Sequence, residues 1–277
     1  MPLSNRLIAH FLLLLSSCSS CFVVRQANAD ILYGIDVDTD QLVIIDPTTA
    51  TATAVGSLGT GFDRVDGLAY DSSRDILFGV DFLSDQLLTI DRQTGTASVI
   101  GPIGNGFGTG QIQGLTYDPV ADQLLGSNTF TPNQLVSINR DTGLADGIAL
   151  LGGPVLGLAF GNDTLFGVRN FAPGGPILVE IDRTGSFTNI GDASVVTSLA
   201  FDPETNNLLT IVSDPFTFET TDLATIDTAT GEVRIVGSTG FTGVASLAFA
   251  PQPVPEPNVA TAFLALFMLQ STRRRRT

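Results

Sequence analysis

The chain has 277 residues, rich in Gly, Val, Leu and Thr, with 28 acidic against 13 basic side chains for a formal net charge of −15. Segment 30–256 holds all 28 acidic residues, only 7 of the basic ones and no Lys; a body this acidic repels phosphate backbones, so no nucleic-acid partner is expected. The only His and Cys residues are His10, Cys18 and Cys21; removal of the N-terminal segment would exclude Ser-His-Asp and Cys-His triads, Schiff-base lysines and His or Cys metal sites.

In chain order the first element is an export signal over 1–29. Arg6 forms its positive region, Leu7 to Val24 its apolar core, and Ala27-Asn28-Ala29 an A-x-A site for signal peptidase, leaving Asp30 first. Leu15-Ser16-Ser17-Cys18 offers a competing reading, a lipoprotein signal that would lipidate Cys18.

The body, 30–251, is one unit repeated five times. A phrase recurs as VDGLAYD, IQGLTYD, VLGLAFG, VTSLAFD and VASLAFA, with its central leucine at Leu68, Leu115, Leu158, Leu199 and Leu247. A second recurs as IDPTTA, IDRQTG, INRDTG, IDRTG and IDTATG, and a short apolar run such as DILFGVD precedes it. Each unit reads as strand a (GLAYD), strand b (DILFGVD), strand c (DQLLTID) and strand d (TASVIG). Four strands in 41 to 48 residues is the size of a propeller blade. In the c-to-d turn the Asp or Asn accepts backbone N–H groups and the Gly takes positive φ. Ala50 replaces that Gly in blade one, so a distorted turn is expected there. Blade one also lacks strand a, while the chain ends the body on a lone strand a from Val244; the expected fold is therefore all-β, a five-bladed β-propeller of four-stranded blades closed by pairing the C-terminal strand with the N-terminal blade. The repeats resemble YVTN and quinoprotein-like propeller families over residues 31 to 250, a resemblance that implies the fold and hardly any activity.

The tail, 252–277, joins Pro255-Glu256-Pro257, an apolar stretch from Val259 to Leu269, and Arg273, Arg274, Arg275 and Arg276. It resembles the PEP-CTERM sorting signal, which implies export, transient membrane anchoring and cleavage by an exosortase-type enzyme in bacteria that make extracellular polysaccharide. The apolar stretch is short against the roughly 20 residues a spanning helix needs, and the arginines would hold its end cytoplasmic.

Candidate ligand-binding residues fall on the b-to-c and d-to-a connections, which share one face of a propeller. Phe62, Phe107 and Phe241 each follow a glycine at matching places and are expected to rim the channel beside Asp63, Arg64 and Gln111, with Asp81 and Arg169 on neighbouring loops. Phenylalanines buried under the loops are the competing expectation. Asp36, Asp38 and Asp40 open like a calcium-binding EF-hand loop, but Gln41 replaces the turn Gly and Pro47 the last carboxylate, so an acidic hairpin tip is favoured and no cofactor is expected. The functional expectation is a noncatalytic binding module of the cell surface or extracellular matrix, its partners polysaccharide or surface proteins. A carboxylate-based glycoside hydrolase or lyase and a purely structural coat component are the alternatives.

Overall fold

The computed structural model describes residues 30–62, 64–104, 112–169, 175–193, 198–213 and 221–253. Twenty strands form five four-stranded antiparallel sheets, and the expected propeller is the fold. Blade one is β1 (Asp30–Asp36), β2 (Gln41–Ile45), β3 (Ala52–Ser57) and, from the far end of the chain, β20 (Val244–Pro251). Blade two is β4 (Val65–Asp71), β5 (Ile76–Asp81), β6 (Gln86–Ile90) and β7 (Ala97–Pro102); blade three is β8 (Ile112–Asp118), β9 (Gln123–Asn128), β10 (Gln134–Ile138) and β11 (Ala145–Leu150). Blade four is β12 (Val155–Gly161), β13 (Thr164–Arg169), β14 (Ile177–Ile181) and β15 (Phe187–Asp192), and blade five is β16 (Ala200–Phe201), β17 (Leu208–Ser213), β18 (Thr221–Ile226) and β19 (Val233–Ser238). Closure is as the repeat arithmetic requires, with Asp30 opposite Pro251 and Asp36 opposite Val244 across β1 and β20.

Burial grades from the axis outward. Strands a and b are buried along almost their whole length, whereas the outer strands are half-buried to exposed, as in β3 and β19. Every outer strand carries a bulge against its strand c, and the extra residue is apolar and β-branched: Val55, Ile100, Ile148, Ile190 and Val236. Bulges increase twist and blunt an exposed sheet edge. Four of these residues also pack into an adjoining core cluster; Ile148 does not and stays exposed.

The c-to-d turns do a second job. The Gly of each Thr-Gly pair takes positive φ, and it also seats against the outer strand of the preceding blade: a Cβ on Gly95 would lie 2.4 Å from the Gly56 carbonyl oxygen, and one on Gly143 2.6 Å from that of Gly101. The expected distortion at Ala50 does not occur. Ala50 takes φ 65, its N–H donates to the Asp46 carbonyl at 2.8 Å, and the turn matches that in blade two, where Gly95 donates to Asp91. Neighbouring packing thus imposes a conformation that costs a non-glycine residue about 1–2 kcal/mol.

Blade five departs elsewhere. The other strands b carry Gly34, Gly79, Gly126 and Gly167 at their centre, where a Cβ on Gly79 would come within 2.9 Å of Ile90 and Val65. Blade five has Thr210 there; its hydroxyl donates to the Ser198 carbonyl at 2.7 Å, and the described pairing of strand a shrinks to Ala200 and Phe201.

Buried charge ties blades two and three. Arg140 donates to Asp71 at 2.6 Å, lies 2.9 Å from Asp122, and stacks over the Tyr117 ring at 5.6 Å. Hydrogen bonds from Arg140 and Tyr117 hold the Asp122 carboxyl down to about 2. Burial works to raise Asp71, but the Arg140 and Ser73 hydrogen bonds outweigh it and leave that carboxyl below its ordinary range too. Both folded-state values lie below the ordinary one, so this contribution to stability is complete above about pH 4 and is lost as pH falls towards 2. We expect the melting temperature to drop across that window, and Arg140→Met to flatten the drop; a thermal melt series in acid checks both.

Candidate functional site: the channel mouth

The five strands a surround the axis, and alternate residues of each point into it. Their leucines, Leu68, Leu115, Leu158, Leu199 and Leu247, form one buried layer, and Tyr70, Tyr117, Phe160, Phe201 and Phe249 form the next. The spaces left are about 10 Å³ at the leucine layer and about 90 Å³ beside the aromatics, so the channel is plugged to anything larger than a few waters.

Above the leucines the channel opens into a mouth of about 320 Å³, lined by Arg64, Asp66, Gln113, Leu156, Thr221 and Thr242 among others. This is the face of the b-to-c and d-to-a connections. It lies opposite the end of blade one where Asp30 pairs with Pro251. The mouth's polar centre is Asp66, whose side chain is 10% exposed; Arg64 donates through Nε to Oδ1 at 3.2 Å and presents its guanidinium over the Phe82 ring at 4.6 Å. Oδ2 is buried and, although 3.0 Å from Arg64 Nε, accepts no aligned hydrogen bond. Burial raises the Asp66 carboxyl above its ordinary value, with Arg64 and Gln113 opposing and the nearby Asp81 charge adding to the rise. A buried acceptor with spare capacity beside a half-exposed guanidinium can take a hydroxyl or amide donor and orient an acceptor next to it.

The residues expected from sequence distribute unevenly around this mouth. Arg64 lies in it. Phe62 and Phe241 are half-buried and pack against two different core clusters, and the Phe241 carbonyl is taken by the Thr221 N–H at 2.8 Å. Asp81 is 1% exposed and caps its own b-to-c turn, accepting from Leu83 N–H at 3.1 Å and Ser84 Oγ at 2.6 Å. Arg169 sits over the Phe187 ring at 5.5 Å in blade four. Asp36 accepts from Thr39 and from the Gly243 N–H, and Asp38 from Thr242 at 2.6 Å; among the described residues no three metal-ligating side chains converge. Asp63, Phe107, Gln111, Pro255, Glu256, Pro257 and Arg273 to Arg276 lie outside the described residues.

Asp66 and Gln113 were not among the expected residues. The signal was present: in the phrase VDGLAYD, IQGLTYD, VLGLAFG, VTSLAFD, VASLAFA the second position varies between Asp, Gln, Leu, Thr and Ala while its neighbours repeat. Asp66, Gln113, Leu156 and Ala245, which hold that position in four of the five copies, line the channel mouth.

No family model matches the chain, and no curated protein sequence matches it. Among solved structures it is similar to a chain of the nidogen/laminin complex, at 14% identity over 81% of this chain and 86% of that one, TM-score 0.54. TolB from Acinetobacter baumannii aligns at 13% identity over 81% and 67%, TM-score 0.50. A gluconolactonase from Xanthomonas campestris aligns at 14% identity over 82% and 88%, TM-score 0.47. Likeness at this identity concerns the fold alone, and the class of protein it defines together with the five closed blades is the β-propeller.

Proposed function

We propose that the chain is an exported protein of the cell surface or extracellular matrix and acts there as a noncatalytic binding module. The observation that carries the binding role is the plugged channel ending in a mouth with one under-satisfied buried carboxylate, Asp66, beside the accessible guanidinium of Arg64. Such a site suits the end or a short stretch of a hydroxyl-rich polymer, and its small size makes a weak, avidity-dependent binder. Export rests on the two end segments: signal peptidase would act after Ala29 and an exosortase-type enzyme near Pro255-Glu256-Pro257. The geometry of blade one agrees with tail anchoring, because Asp30 and Pro251 lie on the face opposite the mouth, and a tail anchored beyond Pro251 would hold the mouth outward.

Retention of the full chain on columns of bacterial extracellular polysaccharide, with a parallel assay for new reducing ends, tests the reading. We expect retention without reducing ends, and at least tenfold weaker retention for Arg64→Ala combined with Asp66→Asn, with the melting temperature within a few degrees. New reducing ends would make the protein a glycosidase or lyase; absence of retention would favour a structural coat component.

A further inference from the structure

A groove of about 580 Å³, lined by described residues, lies on the face opposite the mouth, at the junction of blades three and four. The corresponding junctions before it are filled by an arginine from the c-to-d turn of the following blade. At the junction of blades one and two, Arg92 stacks over Tyr70 at 5.0 Å, pairs with Asp75 and donates to the Pro251 carbonyl. At that of blades two and three, Arg140 stacks over Tyr117 and pairs with Asp71 and Asp122. The same template stands at the junction of blades three and four: Asp118 occupies the place of Asp71, Phe160 that of Tyr117, and Asp163 that of Asp122.

The arginine is there in the sequence too, as Arg183, yet it is exposed and, among the described residues, forms no ion pair. The cause is local. Blade four reads Asp182-Arg183-Thr184-Gly185, one residue shorter than Asp91-Arg92-Gln93-Thr94-Gly95, so the Gly N–H bond to the Asp carbonyl spans three residues in place of four. The tighter turn leaves Arg183 at the rim. Ile148, whose four counterparts pack into core clusters, lines the groove and is 42% exposed, and Val120 is 64% exposed beside it. Asp118 is 6% exposed; its Oδ1 accepts from the Val120 and Ala121 N–H groups, at 2.8 and 3.0 Å, and its Oδ2 accepts nothing among the described residues. Four carboxylates, those of Asp118, Asp163, Glu180 and Asp182, thus line the groove against one guanidinium.

We propose that this groove is a binding site for an arginine side chain presented by a peptide or protein partner, its guanidinium taking the place that Arg92 and Arg140 hold at the neighbouring junctions and the partner's chain lying on Ile148 and Val120. Arginine is specified over lysine because the template joins carboxylate pairing to stacking on an aromatic face, which a planar guanidinium meets and a compact ammonium does not.

Calorimetric titration of the full chain with the capped tripeptide Ala-Arg-Ala tests it, alongside the same peptide with lysine or with the uncharged isostere citrulline. The arginine peptide is expected to bind at least tenfold more tightly than either. Asp118→Asn should weaken it at least tenfold. Inserting Gln between Arg183 and Thr184, to restore the longer turn, should abolish binding by letting Arg183 fill the groove. Glu180→Gln, on the solvent side of its strand, replaces Asp118→Asn if that variant no longer melts cooperatively. No binding, equal binding of citrulline, or binding unaffected by both the insertion and the carboxylate change would overturn the proposal. Binding seen only when Arg273 to Arg276 are changed to Gln would also overturn it, by assigning the groove to the chain's own arginines.

Discussion

Removal of Val244 to Pro251 is expected to abolish cooperative folding of the full chain. β20 is the inner strand of blade one, and it faces β1 from Asp30↔Pro251 to Asp36↔Val244. Val244 and Leu247 belong to the cluster of Leu32, Val43 and Ile211 between blades one and five, and Ala248 and Ala250 to the cluster of Tyr33, Leu68 and Leu77 between blades one and two. Burying one Val or Leu side chain is worth about 1.5–3 kcal/mol, and the cavities left by its loss add to the cost. Domains of this kind hold roughly 5–15 kcal/mol in all. Losing two such side chains and two alanines, opening both clusters and baring the edge of β1 therefore consumes most or all of that margin. The deleted chain should show no cooperative thermal transition by circular dichroism and should elute as aggregate. A sharp melt within a few degrees of the full chain would mean that the ring does not depend on this strand.

The second large effect is expected at Arg140. Its guanidinium is 11% exposed and bonds Asp71, which is fully buried at 0%. Arg140→Met keeps much of the packing over Tyr117 but leaves the Asp71 carboxylate with only the turn donors of Ser73 and Arg74. Breaking a buried pair by removing one partner costs about 3–5 kcal/mol, because the remaining charge stays out of water. The double variant Arg140→Met with Asp71→Leu should recover much of that loss, since removing both charges removes the penalty. By contrast Arg234→Met, which breaks the exposed contact to Glu232, should leave the denaturation midpoint almost unchanged. Denaturant titrations of these three variants and the parent chain measure all of these. Equal effects at Arg140 and Arg234 would show that burial of Asp71 carries no cost.

Much of this fold was readable from the chain because its determinants are local and recur. Alternating apolar residues define each strand, an Asp or Asn accepting its own turn's N–H groups ends strand c, and the missing strand a at one end matches the spare one at the other. Ala50 shows the limit of local reasoning in one direction: a residue ill suited to positive φ takes it with its turn seated on the outer strand of the preceding blade, where a Cβ added to Gly237 would lie 3.5 Å from Ala50 Cβ. Phe62 and Phe241 show it in the other. Their placement after glycines marks a loop, but whether a ring points to solvent or into the gap between blades depends on what the neighbouring blade offers, and here Phe62 packs against the cluster that holds Tyr33 and Leu68, Phe241 against the one that holds Val244 and Leu247.

The sequence by itself determined the number of blades, the order of their strands and the way the ring closes, since these follow from hydrophobic period and turn chemistry repeated along one chain. Tertiary structure showed which of three similarly placed arginines are buried. Arg92, Arg140 and Arg183 follow the same strand in the same motif, yet a single missing residue in the last turn leaves Arg183 at the rim and a groove open beside Asp118. It likewise decided that Asp66, one variable letter in a repeated phrase, would sit at the mouth of the channel with a buried carboxylate oxygen that accepts no aligned hydrogen bond. The reason is the same in both cases: a side chain's charge is encoded locally, but its desolvation and part of its pairing come from neighbouring blades, as Arg140 takes Asp71 from sixty-nine residues away.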